Sequence, residues 1–182
     1  MTDVADSTGE RDAETGRLRL ERWRREHAAG LAVVNSEPEV MRFLNGSVPL
    51  TRVESGLVSD RVLQHWDAYG FGLWAAIEKD GGRMVGFAGI CHPLWFPDWA
   101  QAVEVGWRLR RDAWGCGYAT EAGREALRVG FEERGLREIV AFVHPDNHRS
   151  AAVTSRLGMT LAQRVPHPDR PHDLDVYVAT PG

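Results

Sequence analysis

The residue types best suited to chemistry lie in one stretch, Glu104-Val-Gly-Trp-Arg-Leu-Arg-Arg-Asp-Ala-Trp-Gly-Cys-Gly-Tyr-Ala-Thr-Glu121. It reads as a strand, a turn interrupted by Gly115 and Gly117, and the start of a helix. The first N–H groups of a helix have no partner within it, and the helix dipole puts positive potential at the same end. Neither glycine carries a Cβ, so an anion can approach the main chain closely. A pyrophosphate is the usual occupant of such a junction. Glu104 stands at the start of the strand. A partly buried carboxylate there is a candidate general base toward an amine, which is mostly protonated near neutral pH. The alternative is a carboxylate paired with one of the chain's many arginines.

Several elements must position these groups. After the turn, residues 119–133 predict a helix that Gly135 can end. Residues 139–143 form a short apolar run and predict a buried strand. His144-Pro145 breaks it, and Asn147 suits the N-cap of a second helix that ends at Gly158. Upstream, residues 18–23 alternate as a strand, and 26–35, 38–44 and 52–69 predict helices. Residues 71–77 and 83–90 predict a hairpin around Lys79-Asp-Gly-Gly82. Residues 102–109 make the strand before the turn, and 173–179 a last strand. Residues 1–14 are polar and charged and predict a disordered tail, leaving 15–182 as a single domain.

This order of motifs resembles the GNAT superfamily of N-acetyltransferases, most closely its RimJ/RimL-like branch. The acetyl-CoA loop stands here as Trp114-Gly115-Cys116-Gly117-Tyr118-Ala119, with Trp in place of Gln or Arg, a form common in that branch. A second motif, Asn147 to Met159, and an N-terminal one, Gly16-Arg-Leu-Arg-Leu20 followed by Asn35 to Phe43, extend the resemblance over about 15–178. Three motifs in order are specific, whereas the Gly-x-Gly alone is weak. The resemblance implies an α/β (α+β) fold, with a mixed, largely antiparallel twisted sheet flanked by helices on both faces. It implies acetyl-CoA as donor and direct transfer to a primary amine, with a protein N-terminal α-amine favoured over a small-molecule amine such as an antibiotic or polyamine. Val105, Trp107 and Leu109 would contact the pantetheine arm through the main chain. Trp114, Gly115, Cys116, Gly117, Tyr118, Ala119 and Thr120 would surround the pyrophosphate, and Asn147 the pantetheine side. Ser150 is the candidate hydrogen-bond donor to the leaving sulfur, although a first-turn serine also serves its own helix. Many family members carry a tyrosine seven residues after the asparagine; Thr154 stands there, which keeps a non-catalytic acetyl-CoA-binding module in view.

The aromatic loop 92–99 suggests substrate contacts through Trp95 and Trp99, with Asp98 beside them and Phe43, Asn45 and Trp66 as the facing wall. Cys116 as an acyl carrier is disfavoured, since its position needs only a small side chain, and His144 in a His-Pro turn reads first as structural. His65, His167 and His172 show no ligand spacing with cysteines or carboxylates, so no metal is expected. A dinucleotide site would want a third glycine and more than one βαβ unit, and a triphosphate loop would want lysine where Tyr118 stands. The chain has 182 residues, 43% of them hydrophobic, with a net charge of −4 and two cysteines. These values fit one globular domain in the cytoplasm, with no membrane span, no disulfide scaffold and no nucleic acid as main partner. The resemblance also makes a homodimer a common arrangement.

Overall fold

One sheet organises the described residues, and its pairing decides where a ligand can enter. The structure is a computed structural model and describes residues 12–182. In chain order the elements are β1 (Ala13–Glu14), β2 (Leu18–Glu21), α1 (Ala28–Asn35), α2 (Pro38–Met41), α3 (Arg52–Tyr69), β3 (Leu73–Glu78) and β4 (Met84–Cys91). There follow β5 (Glu104–Leu109), α4 (Tyr118–Arg128), β6 (Ile139–Val143), α5 (His148–Arg156), β7 (Thr160–Pro166) and β8 (Asp173–Ala179). The strands lie in the order β1-β2-β3-β4-β5-β6-β8-β7. Every neighbouring pair is antiparallel except β5 and β6. A parallel pair needs a crossover, and α4 supplies it.

Local chemistry explains the longest helix. Thr51 caps α3 by accepting from the Glu54 N–H at 3.2 Å, and Glu54 accepts from the Thr51 N–H at 2.7 Å. That reciprocal pair satisfies two otherwise orphan donors. Gly70, in the left-handed region, ends the helix. Ser55, Ser59, Val62, His65 and Trp66 form its buried face. Trp23 Nε1 donates to Ser59 Oγ at 2.9 Å, and the Trp23 ring meets Phe87 of β4 edge-on. Arg108 of β5 shares that face of the sheet and donates to Asn35 Oδ1 of α1 at 2.6 Å. On the opposite face α4 packs over β4 and β5, and the turn after it brings Gly130 against Ile90 and Ile139. Helices therefore cover both faces, as the family resemblance implied.

Four boundaries differ from the sequence expectations. Ala13 and Glu14 pair with Leu20 and Arg19, so the last residues of the expected tail belong to the sheet. The rest of that tail, residues 1–11, lies outside the described residues. α2 stops at Met41, where the Leu44 N–H turns back to the Met41 carbonyl at 2.9 Å. α4 gives way at Val129 to a π-helical turn before Gly135. β7 was not anticipated: its seven residues are mostly exposed and gain their strand from pairing with β8.

Candidate active site

The sheet opens where β5 meets β6. The only register pair between these strands is Glu104 with Val140, reinforced by Val140 N–H to the Val103 carbonyl at 2.9 Å. Arg110 N–H bonds the Val85 carbonyl of β4, so even-numbered residues of β5 turn their backbone toward β4. The alternation then points the N–H and C=O groups of Val105, Trp107 and Leu109 toward β6. The Val105 N–H completes the parallel pairing with Val140; past it the two strands diverge, and the Val105 carbonyl and the groups of Trp107 and Leu109 face the gap. The Leu109 carbonyl accepts from Trp114 Nε1 at 2.9 Å. The remaining donors and acceptors form an edge that an extended amide chain can complete.

Beyond β5 the chain makes a 3-10 turn and then the glycine turn. Gly115 and Gly117 have φ of 77° and 84°, in the left-handed region that glycine enters without steric cost. No side chain caps α4, and its first main-chain bond runs from Glu121 N–H to the Gly117 carbonyl at 3.0 Å. The N–H groups of Tyr118, Ala119 and Thr120 are thus left for an anion, with the helix dipole behind them. The Thr120 side chain is buried, so this residue offers its main chain only. Cys116 is exposed in the same turn.

A brace that the sequence did not reveal holds this turn. Glu121 Oε1 accepts from Thr15 Oγ1 at 2.6 Å and from the Arg17 N–H at 2.7 Å. Glu121 Oε2 pairs with the Arg17 guanidinium at 2.6 Å, and Arg17 Nη1 donates to the Cys116 carbonyl at 2.9 Å. Burial opposes the Glu121 charge, but the bonds from Thr15 and Arg17 outweigh it and hold the carboxyl below its ordinary range. Trp114 is a second anchor. The guanidiniums of Arg111 and Arg149 lie over its ring, at 4.9 and 4.8 Å from the ring centre.

Glu104 sits at the fork of β5 and β6. Burial pushes its carboxyl up to about 7, and the Trp95 Nε1 donor at 3.3 Å only partly offsets this. A carboxyl with that value exchanges protons near neutral pH, as a general base must. Asn147 Oδ1 accepts from the Ser150 N–H at 3.2 Å, so its carbonyl caps α5 and its Nδ2 is left to donate. Ser150 is half-buried in the first turn of α5, beside α4. Thr154 is fully buried and gives its hydroxyl to the Ala151 carbonyl at 2.8 Å. The residue standing where many family members carry tyrosine is therefore spent inside its own helix.

The aromatic loop reaches the same fork. Trp95 and Trp99 both pack on Phe142 of β6, and Trp95 also touches Glu104. Phe43 lies against His144 at the end of β6, with ring centres 5.0 Å apart. Asn45 is exposed and bonds the Val48 carbonyl. Trp66 corrects the expectation of a substrate wall. It is buried, stacks near Trp74 and donates to the Leu73 carbonyl at 2.9 Å. It stands on the inner face of α3, and its role is packing. His65 is structural too, bonding the Phe71 carbonyl and accepting from the His92 N–H, each at 2.9 Å. Glu21, Glu26 and His27 come close enough to share a cation, but His27 already accepts from the Arg24 N–H and bonds Glu21.

The family model described as an acetyltransferase (GNAT) domain matches residues 17–160. The uncharacterised protein YkkB of Bacillus subtilis (strain 168) is 30% identical over 83% of this chain and 86% of its own. The FsC-acetyl coenzyme A-N(2)-transacetylase of Aspergillus fumigatus is 31% identical over 80% of this chain and 63% of its own. The crystal structure of an acetyltransferase from Agrobacterium tumefaciens str. C58 superposes with a TM-score of 0.79, at 29% identity, covering 94% of this chain and 95% of that one. The chain belongs to the GNAT family of acetyltransferases, and acetyl-CoA is its acetyl donor.

Proposed function

We propose that the protein transfers acetyl from acetyl-CoA to a protein N-terminal α-amine in a direct ternary complex. The observation that carries the chemistry is a conjunction: the unpaired edge of β5 runs from Glu104 at its start toward the uncapped start of α4 beyond its end. The donor fits these groups. Val105, Trp107 and Leu109 would bond the pantetheine amides, residues 114–120 would hold the pyrophosphate, and Asn147 would donate to the arm. Acetyl-CoA supplies the acetyl group as a thioester. Glu104, directly or through a water, takes the proton that frees the amine lone pair. An N–H on the β5 edge polarises the thioester carbonyl as the C–N bond forms and the C–S bond breaks. Ser150 offers a hydrogen bond to the departing sulfur.

The α-amine acceptor rests on the loop Trp114-Gly-Cys-Gly-Tyr-Ala-Thr-Glu-Ala122, whose form is that of the RimJ/RimL-like branch. A small-molecule amine is the second reading, and the Aspergillus relative is named an acetyl coenzyme A-N(2)-transacetylase, not a protein N-terminal acetyltransferase. Thiol release from acetyl-CoA, measured with short peptides, their N-terminally blocked forms and a set of small amines, separates the two. Turnover with free but not blocked peptides is expected. Turnover with small amines alone would move the assignment to the second reading. Tight acetyl-CoA binding without any thiol release would make the protein a binding module.

A further inference from the structure

A run of ring contacts leads away from the base. Trp95, which bonds Glu104, packs on His167 at 5.5 Å. His167 meets His172 at 4.8 Å, His172 meets His144 at 4.6 Å, and His144 meets Phe43. This run ends at a pocket of about 130 Å³, lined by Arg42, Phe43, Gly46, His144, Arg170 and His172 among others, with no carboxylate in its wall. The Arg42 guanidinium lies over Phe43. Arg170 reaches across Gly46, where a Cβ would come within 2.8 Å of its Nη1. Neither arginine has an ion-pair partner among the described residues. The nearby Asp175 is already taken by Arg164 at 2.6 Å. His144 Nδ1 accepts from the Asp146 N–H, which leaves its Nε2–H to donate, whereas His172 Nδ1 donates to the Asp173 carbonyl, which leaves its Nε2 the accepting nitrogen of that tautomer.

Two guanidiniums and the His144 Nε2–H thus face a small space whose wall holds no carboxylate, with the Asp146 and Asp175 carboxylates acting on His144 from outside that wall. Arginine forks match carboxylates in shape and charge, and such charge-assisted bonds are the strong ones. The loop that carries this wall is held in an uncommon backbone. Asn45, Gly46 and Ser47 have φ of 47°, 65° and 64°, and strain of this kind persists where surrounding structure fixes it, often at ligand sites.

We propose that this pocket receives a carboxylate of the acceptor, so that the preferred substrate is an acidic N-terminal segment with Asp or Glu in its first residues. The proposal rests on the α-amine reading given above, and its test does not depend on turnover. CoA joined through an acetyl bridge to the α-amine of Asp-Ala-amide or Ala-Asp-amide, and to the matching Asn dipeptides, gives ligands that fill both sites. Calorimetric titration of the intact protein should show at least one Asp ligand binding about tenfold more tightly than its Asn counterpart. In Arg170→Gln and in Arg42→Gln that gap should shrink to about threefold or less, while CoA alone binds all three proteins alike. Equal affinity for acid and amide in the wild type, or an undiminished gap in both variants, would overturn the proposal. A failure of CoA alone to bind would remove the acetyl-CoA assignment itself, and the acceptor pocket with it.

Discussion

At the scale of single residues, the proposed chemistry turns on one carboxyl whose surroundings lift its proton affinity to about 7. Activity should therefore rise with pH through about that value, as Glu104 loses its proton. Glu104→Gln should lower kcat by about 10²-fold or more and erase that limb, with little change in acetyl-CoA affinity. Unaltered rates and pH profile would refute the base. Stability gives an independent check. The folded value lies above the ordinary one, so the unfolded chain gives up this proton more readily, and stability is lost as pH rises from about the ordinary value through 7. Glu104→Gln lacks this loss, so its Tm should fall less than the wild type's between pH 5 and pH 8. The places of Glu104 and Asn147 in the fold were legible because each sits at a local landmark, a strand start and a helix cap. Trp66 misled because an aromatic on an amphipathic helix looks the same whether it faces a ligand or the core. The histidine run was not legible, since His144, His167 and His172 meet only through the pairing of β6, β8 and the β7–β8 connection.

At the scale of elements, two incomplete edges make the proposed cofactor site. α4 begins without a side-chain cap, and β5 runs on past its single pairing with β6. Both leave main-chain groups that folding does not satisfy, and a ligand with a pyrophosphate and an amide-bearing arm satisfies them together. The glycine turn, the capping pair of α3 and the Asn147 cap were readable, because glycine, proline and capping side chains act on their immediate neighbours. β1 and β7 were not. The first is two residues long and the second mostly exposed, and each owes its extended form to a partner strand rather than to its own pattern. The Arg17–Glu121 brace escaped for the same reason, joining residues 104 positions apart.

At the scale of the molecule, the buried face of α3 and the Trp23–Phe87 contact fix one layer, while α4 and the π-helical turn fix the other. Trp66 belongs to this frame. Trp66→Ala should cost about 3–5 kcal/mol of stability, seen as a lowered urea midpoint, with the KM for the acceptor unchanged below the transition. A raised KM at unchanged stability would return it to the substrate wall. The family resemblance read from three motifs anticipated this architecture, because the order of turn, helix, strand and cap is itself the topology around the gap.

The most direct measurement is a calorimetric titration of acetyl-CoA into the wild type and into Gly117→Glu. The substitution puts a carboxylate at the start of α4, at a position whose φ of 84° already resists a side chain. Binding in the micromolar range by the wild type, and a loss of about tenfold or more in the variant with its fold retained by circular dichroism, is the predicted result. Equal affinity in the two proteins would mean that the pyrophosphate lies elsewhere and that the start of α4 is not the cofactor site.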